Sequence, residues 1–184
     1  RKPMFRYNSY FGIHTVHYLD LVEFSGKESI SATGVAFGSL VTALTRRFAA
    51  IRRAEAILRP WAESHVTRLG TLKFLSYLGE DGYPAIVPVV PCQAAGSTRL
   101  VFAPSVYRAE LAAIPTNATV AVFALSLQME SVLIRGRFNG YRRYAGLKAG
   151  TIDVDWVYNS MPPMQGPIYP VPPIPPAPRH RDSG

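Results

Sequence analysis

Cysteine is nearly absent from this chain. Cys92 is the only one in 184 residues, which rules out an intramolecular disulfide and any cysteine-rich metal site. It has no histidine or basic helix start near it in sequence. It reads as an inert, partly buried thiol, and a free thiol suits a reducing compartment, the cytoplasm. Long apolar runs are missing too. None approaches the roughly 20 residues that a membrane-spanning helix needs. No charged start, apolar middle and small-residue cleavage site mark a secretory signal. The chain opens on Arg1 rather than Met, as a trimmed piece of a longer chain would. The glycine patterns of the serine-hydrolase elbow, the phosphate loop and the dinucleotide fold do not occur, which argues against the common hydrolases and nucleoside triphosphatases.

Histidine and acid are also scarce. His14 and His17 would share a face with Asp20 on a helix. The aromatic and β-branched residues around them predict a strand instead, which sends the two histidines to opposite faces, so no metal site is expected. His65 and His180 lack ligand-like neighbours. There are 12 acidic residues against 20 Lys and Arg, for a formal charge of +8. The excess sits in two local clusters, Arg46 to Arg59 and Arg142–Arg143. No nucleic-acid reading motif accompanies it, and nucleic acid is not an expected partner.

What is present falls into three parts: an arm and helix over 1–70, a barrel-like region over 71–158, and a tail over 159–184. Ile13 to Phe24 reads as extended. From Thr33 to Leu58 the pattern turns helical, with Phe37, Val41, Leu44, Phe48, Ile51 and Leu58 on one stripe and a break expected near Gly38. This amphipathic helix would bury its stripe on the barrel, on a partner subunit or on a membrane surface. Pro60 ends it or begins a short turn through Leu69. From Ser160 prolines crowd the chain, predicting an extended tail that is either solvated or laid across a partner.

The middle part predicts strands over 72–78, 83–93, 99–102, 119–125, 131–141 and 152–158. Gly79-Glu80-Asp81-Gly82 is a hairpin turn. Pro84, Pro88 and Pro91 place the return strand at an edge or a bulge. Ser105 to Ile114 reads as a helix capped by Ser105. Asp153 and Asp155 share one strand face, as do Arg135 and Arg137, which predicts cross-strand ion pairs if the strands adjoin. The segment Phe102-Ala103-Pro104-Ser105-Val106-Tyr107-Arg108 is the best ligand candidate. A strand ends and a helix begins there, Ser105 offers a hydroxyl, and Arg108 offers a permanent charge for an anion.

The hairpin Gly79-Glu80-Asp81-Gly82-Tyr83-Pro84, the strand Ala85-Ile86-Val87-Pro88-Val89, the run Leu100 to Ser105 into the Arg108 helix, and the strand Asn117 to Phe123 together resemble the FMN-binding split-barrel superfamily of pyridoxamine 5′-phosphate oxidase-like proteins. The resemblance covers about 71–141, with 152–158 as a closing strand. It implies an α+β, mainly β fold: a six-stranded antiparallel split β-barrel with an N-terminal helical extension and a proline-rich tail. It further implies a homodimer with FMN at the subunit interface and hydride or electron exchange with a small substrate. A deazaflavin or haem is the alternative cofactor, and haem would need His14, His17 or His65 at the iron. By the resemblance, Val87, Pro88 and Val89 lie along the flavin ring. Ala103, Pro104 and Ser105 border the ribityl phosphate, Arg108 holds it, and Trp156 or Gln128 approaches from the second subunit. Family members often carry a Lys or Arg on the return strand near the phosphate. Here that strand is uncharged from Tyr83 to Gln93, and Arg99 is the substitute in view. The product site of the true oxidases is not recognisable. A non-enzymatic subunit, assembling through the helix and the tail, is the competing reading.

Overall fold

The computed structural model describes residues 29, 31–51, 56–128 and 130–158. The extended reading of Ile13 to Phe24, His14, His17 and the proline-rich tail lie outside the described residues. No helix among the described residues is long and apolar enough to cross a membrane.

The fold is mainly β. The element order is α1 (Ala32–Ala49), α2 (Pro60–Thr67), β1 (Leu72–Leu78), β2 (Pro84–Pro88), β3 (Gln93–Ala94), β4 (Arg99–Phe102), α3 (Arg108–Ala112), β5 (Thr119–Leu125), β6 (Ser131–Tyr144) and β7 (Leu147–Tyr158). All pairings are antiparallel, in one seven-stranded sheet of order β2-β1-β5-β6-β7-β4-β3. Leu75, Val87, Leu100, Val122, Ile134 and Val154 share one core. They come from strands at both ends of the sheet order, so the sheet curls round that core, as a split barrel requires.

Sequence pattern explains the strands. Inward Lys73, Leu75 and Tyr77 alternate with outward residues along β1. The expected turn is formed: Gly79 N–H donates to Tyr83 O at 2.8 Å, and Gly82 takes φ +79°, open to glycine without strain. Proline-bearing β2 is an edge strand, where missing N–H donors cost nothing. Two bulges bend the long β6–β7 ribbon, at Arg135/Gly136 and Phe138/Tyr141. Gly150 lets the rings of Phe102, Phe138 and Tyr141 meet over its backbone, where a Cβ would lie 2.8–3.0 Å from all three.

Several expectations are corrected. The sheet has seven strands, not six. The return strand stops at Pro88, turns at Val89–Cys92, and resumes as the separate β3, because prolines at 88 and 91 cannot continue a ladder. The β6–β7 ribbon runs further than predicted, closing through Ala145 (φ +49°) and Gly146 (φ +81°). The first helix is unbroken at Gly38 and ends at Ala49. Its capping is as the residue types suggest: Ser31 Oγ accepts from Gly34 N–H at 3.1 Å.

Of the expected stripe, Val41 and Leu58 are buried, while Phe37, Leu44, Phe48 and Ile51 are not. The buried face is the small one, Gly38, Ser39, Thr42, Thr45 and Ala49, joined by Val41. Phe37, Leu40, Leu44 and Phe48 are exposed. Small residues let the helix axis come close to the sheet, and backbone groups then bond across the contact. Ala103 N–H donates to Thr42 Oγ1 at 2.9 Å, Gln93 Nε2 donates to Ser39 O at 3.2 Å, and Arg99 Nη1 donates to Ala49 O at 3.1 Å.

Candidate functional site

The β4–α3 corner departs from the sequence prediction. The helix begins at Arg108, not Ser105, and spans only five residues. Its N-cap is Tyr107, left-handed at φ 52°, with no side-chain cap bond. Ala103-Pro104-Ser105 forms a tight loop instead, in which Ser105 N–H donates to Ala103 O at 2.9 Å. Gly38 of α1 rests directly on Ser105 and on Pro91. Ser105 Oγ is therefore buried under the helix, and it has no hydrogen-bond partner.

Beside this loop lies a cavity of about 330 Å³. Ala103, Pro104, Ser105 and Arg108 line it, as does Ala112 of α3. Phe37 and Val41 of α1 form one wall; Tyr141, Gly146, Leu147 and Lys148 of the β6–β7 ribbon form another. The lining carries two cations, Arg108 and Lys148, and no acid. Among the described residues neither cation is ion-paired. Lys148 Nζ sits 5.0 Å from the centre of the Tyr141 ring, a cation–π arrangement. The Tyr141 hydroxyl donates to Leu111 O at 2.8 Å, which locks the ring. Burial raises its pKa, so it stays protonated and neutral.

The other expected site residues sit elsewhere. The side chains of Val87 and Val89 face the barrel core. Pro88 is half-buried on the edge strand. The turn that follows passes under Gly38, next to Ser105, through Pro91. Trp156 lies on β7 with its ring stacked on Tyr158 at 5.6 Å, and Arg135 is 5.7 Å from its centre. Trp156 Nε1 is buried without a partner. Neither Trp156 nor Gln128 lines the cavity. Arg99 is not free for a ligand: its guanidinium holds Asp153 at 2.6 Å and caps the end of α1. Of the expected cross-strand pairs, Arg135 holds Asp155 at 2.8 Å, whereas Asp153 is held by Arg99 and Arg137 donates to Asn117 O at 3.3 Å.

Sequence reasoning missed α1 as a wall and Lys148 as the second cation. The dipeptide Ala145-Gly146 was the available signal. Read as a hairpin turn, it folds Lys148 back against Tyr141.

Three buried titratable groups lie away from the cavity. Lys73 is fully buried; its Nζ donates to Arg68 O and Val90 O, both at 2.9 Å. Burial lowers its pKa to about 8. Cys92 is also fully buried and its thiol is pushed up to about 12, so it is no nucleophile at neutral pH. His65 stacks on Trp61 at 5.0 Å in the core, with burial lowering its pKa. Among the described residues no three His, Cys, Asp or Glu converge as metal ligands would.

No family model and no curated protein matches the sequence. Solved structures resemble its fold. HupZ of Group A Streptococcus is 11% identical with a TM-score of 0.48, covering 57% of this chain and 95% of that one. An FMN-binding protein from Syntrophomonas wolfei is 9% identical with a TM-score of 0.42, covering 54% and 83%. A protein described as an F420 reductase is 12% identical with a TM-score of 0.38, covering 59% and 98%. Likeness at this level says nothing of which ligand this chain holds.

Proposed function

We propose that this chain is a flavin-binding split-barrel protein, with FMN as cofactor and a homodimer as the working unit, acting as an oxidoreductase on a small substrate. One observation carries the reading: an apolar cavity holding two unpaired cations and no carboxylate. Such a lining suits an anion borne on an aromatic or aliphatic body. The residues fit the group. Arg108 and Lys148 would hold the phosphate from two sides, Arg108 as a fork and Lys148 as a point charge. Ala103 and Pro104 would border the ribityl chain. The Ser105 hydroxyl of the loop is buried and has no partner.

A bound flavin would supply the redox chemistry, and the chain's own residues would bind, orient and exclude water. Phe37, Val41 and Leu147 keep the cavity dry. Tyr141 fixes Lys148 by ring contact while its own hydroxyl is tied to the backbone. A volume of about 330 Å³ is at the small end of the roughly 300–1,000 Å³ usual for cofactor sites. The cavity therefore takes the phosphorylated end, and the ring would lie outside it, against half-buried Pro88 of the edge strand and, across a subunit interface, Trp156; the side chains of Val87 and Val89 stay in the core. A buried, unoxidised thiol suits a cytoplasmic setting.

A deazaflavin would use the same phosphate grip, and the absorption spectrum separates it from FMN. Haem has less support, since His65 is committed to the core. The competing reading, a non-enzymatic interaction module, draws on the exposed face of α1 and on the Ala103 N–H already being taken by Thr42. Titration with FMN under flavin fluorescence decides between them. Saturable one-to-one quenching supports the cofactor site; unquenched flavin at all protein concentrations rejects it.

A further inference from the structure

We infer that the groove between the end of α1, one side of α2 and the turn after β3 is a second ligand site, and that it takes a small zwitterion of about dipeptide length, its carboxylate on Arg46 and Arg47 and its ammonium on Glu63. The site goes beyond the flavin reading and does not rest on it. The groove and the cavity beside the β4–α3 corner have no lining residue in common.

The groove is open and holds about 500 Å³. Three elements shape it. Arg46, Arg47 and Ala50 come from the end of α1. Pro60, Glu63, Ser64 and Thr67 come from α2, at i, i+3, i+4 and i+7, which is one face of a helix. Ala94, Ala95 and Gly96 come from the turn after β3. Hydrogen bonds fix these parts relative to one another. Ala94 N–H donates to Thr67 Oγ1 at 3.3 Å, and Arg99 of β4 ties the sheet to Ala49 O of α1 at 3.1 Å. At Gly96 the backbone is left-handed, φ +85°, and the space over its Cα is empty.

The walls carry opposite charges that do not meet. Neither Arg46 nor Arg47 is ion-paired among the described residues, and nor is Glu63. Each charge alone has a plain reason. Cations suit the C-terminal end of α1, and an acid suits the first turn of α2. That reason does not explain why all three line one groove unpaired. Glu63 has lost water without gaining a cation, and burial raises its pKa. An ammonium brought to it restores what the carboxylate lost. A guanidinium fork matches a carboxylate on the other side. Ser64 and Thr67 add hydroxyls along the α2 wall.

The same lining rejects other classes. A polyanion would satisfy the arginines but set its further charges against Glu63. A divalent cation would find one carboxylate, and among the described residues no three ligands converge. An apolar ligand would meet only Ala50, Pro60, Ala94 and Ala95. Length narrows the zwitterion. An extended dipeptide spans about 7 Å and can join groups on two separate helices. A free α-amino acid, with both charges on one carbon, cannot.

Isothermal titration calorimetry on the full chain without flavin, at neutral pH and low salt, tests the site with diglycine as the probe. Saturable one-to-one binding is expected. N-acetyldiglycine lacks the ammonium and diglycinamide lacks the carboxylate. Each should bind about 10-fold more weakly, the cost of one charged hydrogen bond in a partly exposed site. Glu63→Gln should weaken diglycine about 10-fold and leave N-acetyldiglycine unchanged. Arg46→Gln/Arg47→Gln should weaken diglycine and leave diglycinamide unchanged. Both variants change side chains at the groove's surface, and an unaltered far-ultraviolet spectrum checks that they fold. Diglycine that does not bind overturns the proposal. So does N-acetyldiglycine binding as tightly as diglycine, which would make the groove a plain anion site, and so does diglycine binding that neither variant changes. FMN uptake is scored separately: a chain that takes FMN but no diglycine keeps the cofactor cavity and loses this site.

Discussion

Removing the cavity's two cations should cost FMN affinity but leave riboflavin, which lacks the phosphate, nearly untouched. A hydrogen bond to a charged group contributes about 1.5–3 kcal/mol when buried. Arg108 is exposed, and water screens part of its charge, so the lower end applies. Arg108→Ala should therefore weaken FMN binding about 10-fold, since about 1.4 kcal/mol is a factor of ten. Lys148 is exposed as well and stands over the Tyr141 ring, so the same screening applies and Lys148→Ala should cost about as much. The two grip one phosphate, so the double variant should fall short of the product of the singles. Raised salt should shrink the FMN preference of the unmodified chain and have little effect on the variant. Fluorescence titration with both ligands reads all of this directly. The reasoning fails if riboflavin and FMN lose affinity alike, or if neither substitution changes the FMN-to-riboflavin ratio.

Other outcomes follow from the packing. Gly38→Ala should destabilise the fold by about 1–3 kcal/mol, because its methyl has no room over Ser105 and Pro91; adding Ser105→Gly should recover part of the loss in a denaturant melt. Thr42→Val leaves the buried Ala103 N–H without an acceptor and should cost about 1–3 kcal/mol by the same assay. Lys73 and Cys92 give stability opposite slopes with pH. The amine binds a proton less readily when folded, with its pKa at about 8 against 10.5, so stability rises from about pH 8 toward 10.5, by about 3 kcal/mol if it acted alone. The thiol keeps its proton longer when folded, to about 12 against 9.0, so its contribution falls above pH 9. In denaturant melts stability should rise from about pH 8 to 9, stay level to 10.5 while the two slopes cancel, and fall above that; Lys73→Met should abolish the rise between pH 8 and 9. His65, whose pKa is lowered by burial, should make the fold lose stability as pH falls below 6.5, and a flat acid limb would contradict its buried placement.

Much of the barrel was legible because period-two burial leaves a local trace. β1, β4 and β5 have the limits that alternation set, and Asp81-Gly82 marks its hairpin. The misses share a cause. Ser105 looked like a cap because it follows a proline ahead of helical residues. Instead Ser105 packs under Gly38, and the chain turns left-handed at Tyr107 before the helix starts. The stripe of α1 was visible, but its partner was not: which face lies on the sheet depends on how closely two backbones can approach. Here the small residues and Val41 took the sheet, and Phe37, Leu40, Leu44 and Phe48 were left outside. Arg99 could be weighed as a phosphate ligand only until its register opposite Asp153 was known. Lys148 could be weighed only by reading Ala145-Gly146 as a hairpin turn, since the ribbon returns it to Tyr141, many residues from the corner it serves.

The most direct test is a crystal structure of the full chain grown with FMN. The account expects the flavin phosphate between Arg108 and Lys148, beside the Ala103–Ser105 loop. Flavin bound with its phosphate outside that cavity, or a chain that crystallises without it at saturating FMN, would contradict the account.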